Sequence, residues 1–154
     1  MKVINLSSGS DGNLTYIETD NTKILVDDGL SCKETQTRLG LLGIDGNDID
    51  GIVVTHEHVD HIKGIDVFAR KYDIPVYAHD EVWAGLYDKL SKVPDKNKKI
   101  FTDTFAINDL IINPIEVPHD VKCFGYTIAE DDKKIGILTD LGHTDERIFN
   151  GVKG

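Results

Sequence analysis

A chain of 154 residues that is 40 % hydrophobic and 29 % charged has the make-up of a globular protein with a single core. Its 27 acidic and 17 basic side chains leave a formal net charge of −10, which excludes a protein that coats nucleic acid by bulk charge. No apolar run approaches the ~20 residues of a membrane helix, and the opening Met1-Lys-Val-Ile-Asn5 lacks the tripartite pattern of a secretion signal, so a cytoplasmic protein is expected. Cys32 and Cys123 are distant in sequence and read as buried thiols rather than a disulfide.

In chain order, Val3–Leu6, Leu14–Thr19 and Lys23–Asp27 read as short strands, with Asp20-Asn21 turning a hairpin. Ser31, with Glu34 three residues on, predicts a capping box and a helix to about Leu39. Gly51–Val54 is a β-branched run too short for a helix and predicts a buried strand. Ile62, Ile65, Phe68 and Ala69 recur at helical spacing. Pro75–Ala78 predicts another strand, and Asp80 is expected to cap a helix carrying Val82, Leu86 and Leu90, with Trp83 in the core or on a helix-packing surface. Lys89 to Lys99 carries five lysines against one acid; it reads as a solvated loop, or alternatively as a patch that guides a polyanion. Beyond it, Phe105–Ile107, Leu110–Val117, Cys123–Ala129 and Lys134–Leu138 predict an antiparallel meander turned at Asn108-Asp109 and Asp131-Asp132. A last short helix is expected over Thr144–Phe149. The fold class expected is α/β, in layers, with polar residues at strand ends.

His56, His58, Asp60 and His61 fall within six consecutive residues where the Gly51–Val54 run ends. Residues two apart on an extended chain face the same side, so His56 and His58 can converge on one point. Asp60 and His61, at the turn into the next helix, can face a second point close by. Imidazoles with a carboxylate suit Zn, Fe or Mn better than Ca or Mg, which prefer all-oxygen shells. Three of only six histidines crowd here, which a run of solvated loop residues does not explain. His79 is expected at the surface or in a cap. In Ser7–Asn13, small residues and glycines would let backbone N–H groups approach an anion.

His-x-His-x-Asp-His after a strand, with Thr55 before it and Gly64 after it, resembles the signature of the metallo-β-lactamase superfamily, mostly binuclear metallohydrolases on an αββα sandwich. The resemblance implies that His56, His58 and His119 (in Val117-Pro-His-Asp120) hold one ion and Asp60 and His61 a second. Asp140 (in Thr139-Asp-Leu-Gly142) would bridge the two, and Asp27 would brace the ligand loop from behind. The opening Leu6-Ser-Ser-Gly-Ser-Asp-Gly-Asn13 is similar to that of the YycJ/WalJ-like and PhnP-like branch, which acts on nucleic acid or small phosphodiesters. Thr-His-Glu-His, Val-Pro-His-Asp and Thr-Asp-Leu-Gly favour the YycJ/WalJ side. Ser8, Ser10, Asn13 and His143 are then expected to support the ligands or face substrate.

The resemblance implies a metal-dependent phosphodiesterase, foremost a DNA exonuclease, with two divalent ions, Zn ahead of Mn or Fe, and with Asp60 orienting the water and taking its proton. The alternatives are a thioester or other metallohydrolase of the same fold, a non-catalytic metal-binding half-domain, and a non-haem iron oxygenase. Residues 1–154 read as one domain, the N-terminal portion of the sandwich, because the late histidine of that branch does not occur in the sequence. From this follow two expectations: a weak second metal site, and self-association through an uncovered second sheet.

Overall fold

The computed structural model describes residues 1–138. β1 (Lys2–Ser7), β2 (Leu14–Glu18) and β3 (Lys23–Val26) form an antiparallel meander at one side of a six-stranded sheet. β4 (Gly51–Val53), β5 (Val76–His79) and β6 (Lys98–Phe101) continue it in parallel, giving the order β1-β2-β3-β4-β5-β6. Parallel neighbours need crossovers, supplied by α1 (Cys32–Leu41), α2 (Val59–Ile62) with α3 (Ile65–Tyr72), and α4 (Asp80–Leu86). Crossovers of one hand running in one direction put these helices on one face of the sheet.

The other face meets a second, antiparallel sheet of order β10-β9-β8-β7, built from β7 (Phe105–Ile107), β8 (Leu110–Glu116), β9 (Phe124–Glu130) and β10 (Lys133–Ile137). Two of its three hairpins turn through Asn108 and Asp131, both at positive φ (51° and 52°), as tight two-residue connections require. One apolar core joins helices and both sheets: Ile24, Leu25, Ile52, Val53, Phe68, Val76, Trp83, Ile112, Tyr126 and Ile128 are all nearly or wholly inaccessible to water. The Tyr126 hydroxyl crosses between sheets to donate to the Val54 carbonyl, and Phe124 N–H donates to the Thr55 carbonyl at 3.0 Å. Three of the four expected layers are thus in place; the expected final helix lies outside the described residues.

Four local expectations need correction. The Lys89–Lys99 stretch is not all loop, because Lys98–Phe101 forms β6, the sheet's edge strand. Lysines suit such an edge, where they discourage further pairing. Lys89, Lys96 and Lys98 are paired with Glu57, Asp73 and Asp95, which neutralises much of the suspected patch. The helix read through Ile62–Ala69 is broken, because Gly64 N–H donates to the Asp28 carbonyl at 2.9 Å, drawing that turn onto a distant segment. α4 is capped by His79, not Asp80: the ring Nδ1 accepts from Glu81 N–H at 3.1 Å. His79 is buried, stacked on Phe124 with centroids 4.1 Å apart, so it is a cap but not a surface residue. At α1 only half of the capping box forms: Ser31 Oγ accepts from Glu34 N–H, while the Glu34 carboxylate turns to Arg38.

Candidate metal centre

β3 and β4 end side by side, with Val26 opposite Val53, and the residues that follow both strands build the site. Asp27 leaves β3 in a left-handed conformation (φ 60°), which an Asp side chain tolerates better than most. Its carboxylate is fully buried. Oδ1 accepts from Thr55 N–H at 2.8 Å; Oδ2 accepts from Thr55 Oγ1 at 2.7 Å and from His61 Nδ1 at 2.6 Å. Burial pushes the Asp27 carboxyl up, and His61 and Thr55 pull it back by bonding the charged form.

These bonds orient two rings. Thr55 Oγ1 has a single hydrogen and gives it to Asp27, so at its 2.8 Å contact with His56 Nδ1 it must accept. His56 therefore carries its proton on Nδ1 and keeps Nε2 as its acceptor nitrogen. His61 likewise donates from Nδ1 and keeps Nε2. Imidazoles backed by a carboxylate in this way are what metal centres use to fix tautomer and ring orientation.

His58 Nδ1 lies 3.2 Å from His119 Nε2, and each ring also faces Asp120: His58 Nε2 at 3.2 Å from Oδ2, His119 Nε2 at 3.1 Å from Oδ1. His56, His58 and His119 each offer a nitrogen, and those atoms all lie within 4.8 Å of one another. Two ligands on a tetrahedral zinc with Zn–N bonds of 2.0–2.1 Å stand about 3.3 Å apart, so the His58–His119 spacing fits one shared ion. His119 reaches the cluster from the other sheet, on the loop after β8 that Val117 N–H closes onto the Cys123 carbonyl.

Asp60 and His61 sit beside this cluster, Asp60 Oδ2 being 3.7 Å from His61 Nε2, and the His56 and His61 rings are 4.1 Å apart. Asn13 ties the opening loop to this pair. Its Oδ1 accepts from Gly9 N–H, which fixes the amide orientation, and its Nδ2 faces the Asp60 carbonyl, Asp60 Oδ2 and His61 Nε2 at 3.2–3.3 Å. Backbone bonds reinforce the crossing: Asn13 N–H to the Asp60 carbonyl, Gly29 N–H to the Asn13 carbonyl and Asp28 N–H to the His61 carbonyl. Gly29 is required there, since a Cβ would lie 1.7 Å from the Asp60 oxygen.

Ser10 borders a groove that contains Asp60, whereas Ser8 is exposed with no side-chain hydrogen bond among the described residues. Asp140 and His143 lie outside the described residues. Two acids were given no role from the sequence. Asp120 touches both His58 and His119, and its place directly after His119 was the available signal. Asp28, directly after Asp27, is wholly buried; Thr35 Oγ1 donates to its Oδ1 at 2.7 Å, and its Oδ2 has no hydrogen-bond partner among the described residues. Burial raises its carboxyl to about 7, against the bonds from Thr35 and Leu30.

Two facing sheets with imidazoles gathered beyond the carboxyl ends of β3 and β4 define a metal-binding α/β protein. The chain belongs to the metallo-beta-lactamase superfamily, whose sequence profile matches residues 8–149, and that fold holds divalent metal. The chain is 40 % identical over 152 residues to the exodeoxyribonuclease YycJ of Bacillus anthracis, and 41 % identical over 155 residues to the exodeoxyribonuclease WalJ of Streptococcus pneumoniae. These matches cover 97 % and 96 % of this chain but 58 % and 57 % of the relatives, so the chain spans little more than half their length. Among solved structures, the metallo-beta-lactamase fold protein YhfI from Bacillus subtilis superposes with a TM-score of 0.72 at 18 % identity, covering 93 % of this chain and 63 % of that one.

Proposed function

We propose that this chain carries the catalytic metal centre of a divalent-metal phosphodiesterase that degrades DNA from an end. The observation that carries the reading is the meeting of His56, His58 and His119 at one point beside the Asp60–His61 pair. The names of the two curated relatives supply the substrate class. His56 Nε2, His58 Nδ1 and His119 Nε2 would hold the first ion, zinc by its preference for three imidazoles. Asp60 and His61 would hold the second, with Asp140 proposed as a further ligand. Bound divalent cations lower the pKa of a coordinated water toward neutrality and offset phosphoryl charge.

The chain's own residues do the rest. Asp60, partly open to solvent, aims the attacking water and accepts its proton. Asn13 steadies the Asp60 carboxylate, and Asp27 keeps His61 and, through Thr55, His56 in their ligating tautomers. Ser10 and the loop around it form the near wall for the phosphate.

The test is hydrolysis of bis-p-nitrophenyl phosphate and of end-labelled linear DNA with Mn²⁺ or Zn²⁺ added to the purified chain. Cleavage of both is expected, with Asp60→Ala lowering turnover by about 10²-fold or more, as loss of a general base does. Hydrolysis of a thioester or β-lactam without diester cleavage would overturn the reading.

A further inference from the structure

Val59 and Lys63 lie four apart on the turn that carries Asp60 and His61, where Lys63 N–H donates to the Val59 carbonyl at 2.9 Å. Both side chains line two grooves at once. On one side, a groove of about 310 Å³ contains Asp60, Ser10 and a second acid, Asp11. On the other, a groove of about 460 Å³ has Ile62, Leu90 and Val67 in its lining. The surface therefore runs unbroken from the Asp60 carboxylate, over the Val59–Lys63 ridge, into an apolar trough.

The ridge and trough are open to water in a way apolar side chains seldom are beside a polar centre: Val59 is 69 % exposed and Val67 49 %. The charges are also unequal. Lys89, at the rim, is held by Glu57 at 3.0 Å, and Asp66 is held by Arg70 at 3.0 Å. Lys63 forms no ion pair among the described residues, although acids outnumber bases 27 to 17 in this chain. Asp60 and Lys63 stand three apart on a helical turn, which puts their Cβ atoms about 5–6 Å from one another on one side. Among the described residues, a cation with no ion-pair partner within 4 Å thus adjoins the carboxylate we assign to the reaction, with aliphatic surface directly behind it.

We propose that Lys63 and the Val59–Val67 trough form a strand-binding subsite for a nucleic-acid substrate. Lys63 pairs with the phosphate next to the one being cleaved, and the sugar and base of that nucleotide lie against Val59 and Val67. A cation for the phosphate and an apolar surface for sugar and base address groups that every nucleotide shares, so such a subsite holds a strand without reading its sequence. The inference rests on the phosphodiesterase reading above, and extends it to the contact that favours a polymer over a small diester.

The experiment is fluorescence anisotropy of a labelled single-stranded oligonucleotide titrated with the intact chain, in EDTA so that nothing is cleaved, across a range of salt concentrations. Lys63→Ala should weaken binding about 3- to 10-fold and make the dependence of log K on log salt shallower by about 0.7. Lys63→Arg should keep both, and Val67→Asn should weaken binding without changing the slope. Lys92→Ala removes the same charge from an exposed position outside the two grooves and should change neither. An equal loss from Lys63→Ala and Lys92→Ala would mean diffuse attraction and would overturn the subsite, as would no loss from Lys63→Ala. A wild-type chain without salt-dependent affinity for the oligonucleotide would bring down the nucleic-acid reading itself, a separate and recognisable result. With metal present, the ratio of oligonucleotide to bis-p-nitrophenyl phosphate turnover should fall in Lys63→Ala.

Discussion

Asp27 Oδ2 accepts from His61 Nδ1 at 2.6 Å while the same oxygen accepts from Thr55 Oγ1, so one buried carboxylate governs both His61 and, through Thr55, His56. The carboxylate sits beneath the loop from Thr55 to His61, in contact with Thr55 and His61 at its two ends.

Asp27→Ala would strand three buried donors together: Thr55 N–H, Thr55 Oγ1 and His61 Nδ1. The expected cost is about 3 kcal/mol or more in the metal-free protein, read from guanidinium denaturation. Metal affinity measured by calorimetry should fall about 10- to 100-fold, because both rings lose their orientation. A variant with native metal affinity would show that the carboxylate only fills space.

Asp28 predicts a pH dependence. Its folded-state carboxyl is raised to about 7, so the folded protein keeps a proton that the unfolded chain releases near pH 4. That contribution to stability is complete below the unfolded value and is lost as pH climbs toward 7. Asp28→Asn is neutral throughout and should remove this component. Relative to wild type, the variant should gain on the order of 2 kcal/mol between pH 5 and pH 7, measured by denaturation in chelator. Parallel stability curves for the two proteins would refute it.

His119 and His56 separate metal binding from folding. His119 is half-buried on a loop, whereas His56 is fully buried between Thr55 and His61. In chelator, His119→Ala should melt within about 0.5 kcal/mol of wild type, while His56→Ala should lose about 2 kcal/mol. With zinc at a hundred times its dissociation constant, wild type should gain about 2.7 kcal/mol, and neither variant should match that gain.

Backbone crossing at the site makes two glycines opposite in effect. Gly29→Ala would drive a methyl group into the Asp60 carbonyl, so loss of the native fold, or a destabilisation of about 3 kcal/mol, is expected from circular dichroism on denaturation. Gly40, on an open face of α1, has nothing within 4 Å of an added Cβ; Gly40→Ala should stabilise by about 0.5–1 kcal/mol.

Much of this architecture was readable where the sequence is locally consistent. The β-branched alternation of Leu14–Glu18 and Leu110–Glu116 marks half-buried strands, and Asn108-Asp109 marks their turn chemistry. The concentration of histidines after Val54 marks a candidate ligand loop with no need of the fold. What stayed hidden depends on distant backbone. The break at Gly64 is imposed by Asp28, 36 residues earlier, and β6 exists because β5 offers it an edge, despite its lysines. The bond of Asn13 to Asp60 and the contact of Asp120 with two histidines are likewise tertiary facts. Adjacent acids such as Asp27 and Asp28 look alike in sequence, yet one is tied to three donors and the other keeps an oxygen with none among the described residues.

His56 and His58 follow β4 of the first sheet, whereas His119 follows β8 of the second, and Phe124 bonds Thr55 across the gap. The trio of imidazoles can therefore exist only while the two halves of the sandwich are docked. A cobalt(II) ion bound there would serve as a spectroscopic clock for assembly. During refolding, its visible absorption should rise with the joining of the sheets, later than the far-ultraviolet signal of the strands and helices themselves.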